Sequence, residues 1–415
     1  RHRADQRIAS LAPSGRSHFG SSLAQSSLNP TTTMPITNRA LESLANRLSV
    51  PQDEQDKVCQ VSDELEAHLK RNLCHCFKTR WTVHRVIRGG SISKGTAVRT
   101  KYDVDLVVLL NMKVGTFLED DSEVPDSLKE GLVKCLSEHD DVEIDRSSLG
   151  NPYPHVGCTL YGVEFDVLIG VHMKKRAVDE ADGLAAAQLA AVQDLVLKAE
   201  DQSRALMIAR RLSATCAESI NSIIREEEEC VKQVIILLKY WRVVQQLKKF
   251  KSFVAEMFVL SAVHRLRLDG CEVSCLTLFK RALEILHLPN STYKYPRVCR
   301  YGHLGLYDVQ TWSRLIEANV ASARARGKRL TILNPVTPVL NVVNPVPREQ
   351  LKQWSESSKE ALEFLDKKRA QLKDVFGELH DEGYSTRAVK LDGVSERRLD
   401  IFTHFAAVAL PAHLQ

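Results

Sequence analysis

The chain has 415 residues, 44% of them hydrophobic, enough for one large two-lobed domain or two ordinary domains with separate cores. No apolar stretch is long enough to cross a bilayer as a helix. The ten cysteines are scattered through a chain too large to need disulfides, so reduced thiols, a place in the cytosol or nucleus and no membrane partner are expected. His264, Cys271 and Cys275 fit no zinc spacing. A net charge of +5 permits an anionic partner without demanding nucleic acid.

Residues 1–33, ahead of Met34, are rich in Ser, Arg and Thr without apolar periodicity, and read as a leader that is disordered or untranslated, or as a transit peptide. Helical spacing of apolar residues follows over Asn38 to Leu48 and Asp53 to Leu73. Short β-branched runs then predict strands at Thr82 to Ile87, Val104 to Leu110, Val142 to Ile144, His155 to Leu160 and Val163 to Ile169, with a helix over Ser127 to Leu136. Residues Lys174 to Gln202, rich in Ala, Asp and Glu, read as an insertion that is helical or mobile. Helices are predicted over Ser203 to Glu229, Cys230 to Leu247, Phe253 to Leu266, Leu276 to Leu286, Val309 to Ala323 and Gln350 to Leu379. Between the last two lie a strand-like run, Leu330 to Leu333, and a Pro-rich stretch, Pro335 to Pro347.

The chemistry concentrates in Gly89 to Leu110, GGSISKGTAVRTKYDVDLVVLL. Gly89, Gly90 and Ser91 follow a strand, and two glycines before a hydroxyl let backbone amides approach a bound triphosphate. Asp103 and Asp105 open the next strand two residues apart, which puts both carboxylates on one face. Two like charges at the edge of a β core call for a divalent cation, and magnesium takes carboxylate oxygens. Glu164 and Asp166 are the candidates for a third carboxylate, and Asp166 is preferred because it sits against the longer apolar continuation. Such a triad predicts two magnesium ions, one shared by all three aspartates to activate an attacking ribose hydroxyl, the other held by Asp103 and Asp105 against the triphosphate. Asp166 is the best-placed general base.

This combination over Ile87 to Leu168 resembles the DNA polymerase β nucleotidyltransferase superfamily: a Gly-Ser turn, a strand with two alternating acids, and a third acid on a later strand. Within it, Gly89 to Ser91, Lys94 to Thr96 and Asp103 to Val108 are similar to the pattern of the 2′,5′-oligoadenylate synthases, as are Leu238 to Trp241, Val254 to Glu256 and Leu330 to Val342 (LTILNPVTPVLNV). The resemblance implies an α+β fold in which a polymerase-β-like lobe, 34–170 with the N-terminal helices, packs on a helical lobe, 171–380, followed by a tail, 381–415, of unassigned order. It implies polymerisation of ATP into 2′,5′-linked oligoadenylates with magnesium, or manganese in its place. Gly90, Ser91 and Lys239 would then grip the triphosphate. Ser252 and Phe253, which are closer to the Lys-Ser-Tyr segment of cyclic-dinucleotide synthases of the cyclic GMP-AMP synthase type, would touch phosphate and base. A double-stranded RNA activator is implied too, with Lys94 matching a lysine near RNA and Arg71, Lys78 and Arg80 extending the patch. Departures from the synthase pattern stand at Ile236, at Ser252 and Phe253, and at Asn334. A dinucleotide cyclase, a catalytically silent nucleic-acid sensor and a polymerase adding 3′-linked tails are the rival assignments; the oligomeric state has no sequence signal.

Overall fold

The computed structural model describes residues 35–78, 81–99, 102, 104–119, 123–150, 154–173, 181–287, 309–325, 332–343, 346–367 and 370–377. In chain order the elements are α1 (Asn38–Leu48), α2 (Gln52–Cys76), β1 (Val83–Arg88), a single helical turn α3 (Gly90–Ser93), β2 (Val104–Leu110), α4 (Val114–Leu118), α5 (Glu123–Ser137), β3 (Val142–Ile144), β4 (His155–Leu160) and β5 (Val163–Val171). The remainder is helical: α6 (Ala181–Leu197), α7 (Gln202–Arg211), α8 (Ala217–Arg225), α9 (Glu229–Val244), α10 (Ser252–Leu268), α11 (Cys275–His287), α12 (Val309–Ala325), α13 (Arg348–Leu365) and α14 (Leu372–Phe376). No helix among the described residues is long and apolar enough to cross a membrane.

The strands form one mixed sheet of order β1-β2-β5-β4-β3. β2 and β5 pair in parallel at its centre, and every residue of β2 is buried. That double-sided burial explains why β2 reads as the unbroken apolar run Leu106–Leu110 once Asp105 has been passed. β4 and β5 form a hairpin whose two-residue turn, Tyr161 and Gly162, has positive φ at both positions, the conformation that suits the twist of paired strands. α2 and α5 pack together and α2 also lies against β1 and β2. α1 packs instead on α9 and α11 of the helical part.

Two predicted helices are each broken in two. The run expected over Ser203 to Glu229 stops at Arg211 and passes through a 3₁₀ turn, Ala214–Cys216, before α8 begins. Thr215 in that turn accepts a hydrogen bond on its hydroxyl from the Val171 amide at 3.1 Å, docking the helical part onto the end of β5. Gly170 makes the approach possible, since a Cβ there would lie 2.9 Å from Leu109 Cδ2 and 3.1 Å from the Thr215 amide nitrogen. Gly170→Ala is therefore expected to lower stability by about 1–3 kcal/mol, read as a drop in the denaturation midpoint at constant slope. The run expected over Gln350 to Leu379 ends at Leu365 and resumes as α14, because Ala370 and Gln371 turn aside to meet the N-terminal segment through Pro35 and Ile36.

The LTILNPVTPVLNV segment is held by its asparagines. The Asn334 side-chain oxygen accepts from the Val336 and Thr337 amides at 2.9 and 3.1 Å, and that of Asn341 accepts from Ile332 and Val343 at 3.1 and 3.2 Å. Of the predicted strand run Leu330 to Leu333, the first two residues lie outside the described residues, as do the leader 1–33 and the tail 381–415; Leu333 makes an isolated bridge to Asn341.

Candidate active site

Parallel pairing sets the centre of the site. Asp105 on β2 and Asp166 on β5 are direct register partners, so their side chains leave the same face of the sheet on strands roughly 4.8 Å apart. Both are buried, at 1% and 5% exposure. Adjacent buried carboxylates are the oxygen donors that hard divalent cations take, and the donor set fits magnesium or manganese. Asp103, the third carboxylate of the expected triad, lies outside the described residues, and no group of three or more metal-ligating side chains occurs among those described. Glu164 sits exposed at the sheet margin opposite Thr159.

The glycine turn presses directly on this centre. The Gly89 amide donates to the Asp105 carbonyl oxygen at 2.7 Å, and a Cβ at Gly89 would come within 3.2 Å of Asp105 Cβ. Gly90 has φ of +77°, a conformation that favours glycine. Ser91 is half-buried in the helical turn that follows, and its carbonyl accepts from the Thr96 amide at 2.9 Å. From α8, buried Asn221 reaches over the turn and donates to the Arg88 carbonyl at 3.3 Å.

Behind the turn lies a buried ionic cluster. Glu256 on α10 receives the Lys94 ammonium at 2.9 Å and the Lys239 ammonium of α9 at 2.7 Å. Lys239 also donates to the Thr96 hydroxyl and carbonyl at 3.0 and 3.2 Å. All three charged side chains are at most 4% exposed. Burial alone would raise the Glu256 carboxyl, but the ammoniums of Lys239 and Lys94 outweigh it and hold the group below the usual carboxylate range. Burial pushes the Lys239 ammonium below the ordinary lysine value; Glu256 opposes that shift and Lys94 adds to it.

The other residues expected at the site take the following positions. Lys94 is not a surface base available to RNA, because its ammonium is spent inside the protein on Glu256. Lys239 closes on Thr96 and Glu256 behind the turn. Phe253 is 2% exposed, a core side chain with no face offered to a base. Ser252, half-buried at the start of α10, accepts from the Arg242 guanidinium at 3.0 Å. Arg71 is exposed on α2 and donates to the Ala67 carbonyl within its own helix, Lys78 is exposed and pairs with Glu130 at 3.4 Å, and Arg80 lies outside the described residues.

His155 and Asn221 were not foreseen. His155 is buried at the start of β4, with Nε2 3.0 Å from Asp166 Oδ1. Its signal was the β4–β5 turn: counting back from Tyr161 and Gly162 pairs Gly157 with Asp166 and sets His155 one diagonal away. Asn221 has no comparable signal, since the 3₁₀ turn that breaks the helix before it docks on β5 through a contact distant in sequence.

A model of the nucleotidyltransferase domain family matches residues 70–147. That segment is similar to a nucleotidyltransferase domain. The matched segment holds the glycine turn and Asp105 but ends before Asp166. No curated protein matches the sequence. Among solved structures, the chain is similar to CdnC from E. coli MS115-1 in its complex with HORMA-deltaN, at 18% identity with a TM-score of 0.52, covering 84% of this chain and 98% of that one. The Cid1 poly(U) polymerase is similar at 14% identity with a TM-score of 0.49, covering 82% and 98%. The fold is that of the polymerase-β-like nucleotidyltransferases, as the α+β expectation had it.

Proposed function

We propose that this chain is a metal-dependent nucleotidyltransferase that joins ATP into short 2′,5′-linked adenylates with release of pyrophosphate. The observation that supports this most is the register of Asp105 against Asp166, two buried carboxylates on adjacent parallel strands directly beneath the Gly89–Ser91 turn. Together with Asp103 they would hold magnesium or manganese, which when bound neutralises triphosphate charge and lowers the pKa of the attacking hydroxyl. Gly90 and Ser91 cradle the triphosphate from the turn. Two ammoniums against one carboxylate leave the cluster of Lys94, Lys239 and Glu256 cationic overall, and this charge behind the turn favours a polyanion in front of it. In the transfer, a ribose hydroxyl oxygen bonds to the α-phosphorus of ATP, the α–β bridging bond breaks, pyrophosphate departs, and Asp166 accepts the hydroxyl proton.

The choice of 2′ linkage rests on the resemblance of the Leu330 to Val342 stretch to the oligoadenylate synthases. Activation by duplex RNA rests on resemblance alone, and α2, with Asp53, Glu54, Asp56, Asp63, Glu64 and Glu66 against Lys57, Lys70 and Arg71, is a poor surface for a phosphate backbone. The test is incubation of the purified chain with ATP and magnesium, with and without duplex RNA, with products resolved after digestion by nucleases specific for 3′,5′ links. Nuclease-resistant oligoadenylates are expected. A cyclic product that requires GTP would replace this assignment with a dinucleotide cyclase, and 3′,5′-linked tails would replace it with a tailing polymerase.

A further inference from the structure

We infer that His155 is a positioning residue for Asp166, fixing one carboxylate oxygen so that the other is presented toward Asp105 for the metal. This rests on the metal-site assignment above and adds to it a residue outside the aspartate triad. The pairing of β4 with β5 puts Gly157 opposite Asp166 and His155 opposite Leu168, so the histidine reaches Asp166 along the diagonal. Gly157 has no side chain to stand in that path. Nε2 of His155 lies 3.0 Å from Asp166 Oδ1, and with the carboxylate ionised the ring nitrogen is the donor. His155 is itself 1% exposed, so the contact is part of the packed interior rather than a surface encounter.

The arrangement has a definite consequence for ligand geometry. A carboxylate free to rotate about its terminal bond offers either oxygen, or both, to a cation. One oxygen anchored from the β4 side leaves the second directed along the β2 side, where Asp105 stands. Partners of this kind that hold a ligating side chain typically govern metal affinity by about 10–100-fold.

The test is manganese binding to the full chain without nucleotide, followed by electron paramagnetic resonance, for wild type, His155→Phe, His155→Leu, His155→Gln and Asp105→Asn. Both apolar variants fill the site without a donor, and either one that folds serves. They are expected to weaken manganese binding by about 10–100-fold, with the loss of ATP turnover largely recovered as manganese is raised. Glutamine, whose amide can donate from nearly the position of Nε2, is expected to restore affinity to within a few-fold of wild type. Wild-type affinity in a folded His155→Phe or His155→Leu protein, with binding lost in Asp105→Asn, would overturn the role of His155 alone. A glutamine variant as weak as the apolar ones would do the same. Unchanged binding in Asp105→Asn would remove the metal-site assignment and the His155 inference with it.

Discussion

Replacing Asp105 by asparagine is expected to lower nucleotidyl transfer by about a thousandfold or more, the loss that follows when several kcal/mol of charge stabilisation at the proposed metal centre disappear. The fold is expected to survive the same change. Asp105 is buried beside Asp166, and two like charges in adjacent positions oppose folding when no cation lies between them. Neutralising one of them is expected to leave the metal-free protein as stable as wild type or more so, by about 1 kcal/mol, a trade of activity against stability that marks functional sites. Steady-state turnover of ATP and a denaturant midpoint measured in chelator check the two halves together. A variant that lost activity by unfolding would show the opposite midpoint shift.

Glu256→Gln is the second large effect, and here stability falls. The carboxylate is the shared partner of Lys94 and Lys239, all buried. Removing its charge leaves two ammoniums facing each other without compensation, at a cost of about 3–5 kcal/mol. Replacing the whole cluster with Lys94→Met, Lys239→Met and Glu256→Leu is expected to recover most of that loss, since an apolar substitute pays no desolvation. The cluster also sets an acid limit on stability. Because the folded-state value of Glu256 lies below its unfolded value of 4.5, its contribution is complete above pH 4.5 and drains away as pH falls through the lower folded value. The denaturant midpoint of wild type is therefore expected to fall more steeply on acidification below that point than the midpoint of the triple variant.

The face that carries Asp105 and Asp166 could be read from spacing alone. The alternation of Asp105 with Val107 and Leu109, and of Asp166 with Leu168, settles which face carries the acids, and the hydrophobic runs behind them place both strands at the sheet centre. That the two acids are direct partners could not be read, because a parallel pairing is closed through a long crossover whose length fixes no register. Lys94 shows the limit most clearly. A lysine after a glycine turn looks like a surface base, and its burial depends on Glu256, 162 residues further along the chain. The broken helices fail for a related reason: apolar periodicity continues through residues 212–216, where a 3₁₀ turn with Thr215 docked on β5 replaces the helix. His155 lay within reach of the sequence through the Tyr161–Gly162 turn, which does fix register.

The most direct measurement is pyrophosphate release from ATP by the purified chain in magnesium, compared with the same protein carrying Asp166→Asn and with wild type in chelator. One pyrophosphate per internucleotide bond formed is expected in wild type, with release near background in both controls. Release that is unchanged by Asp166→Asn would contradict the proposed function, as would a folded wild-type protein that releases none with ATP, GTP, manganese or duplex RNA supplied.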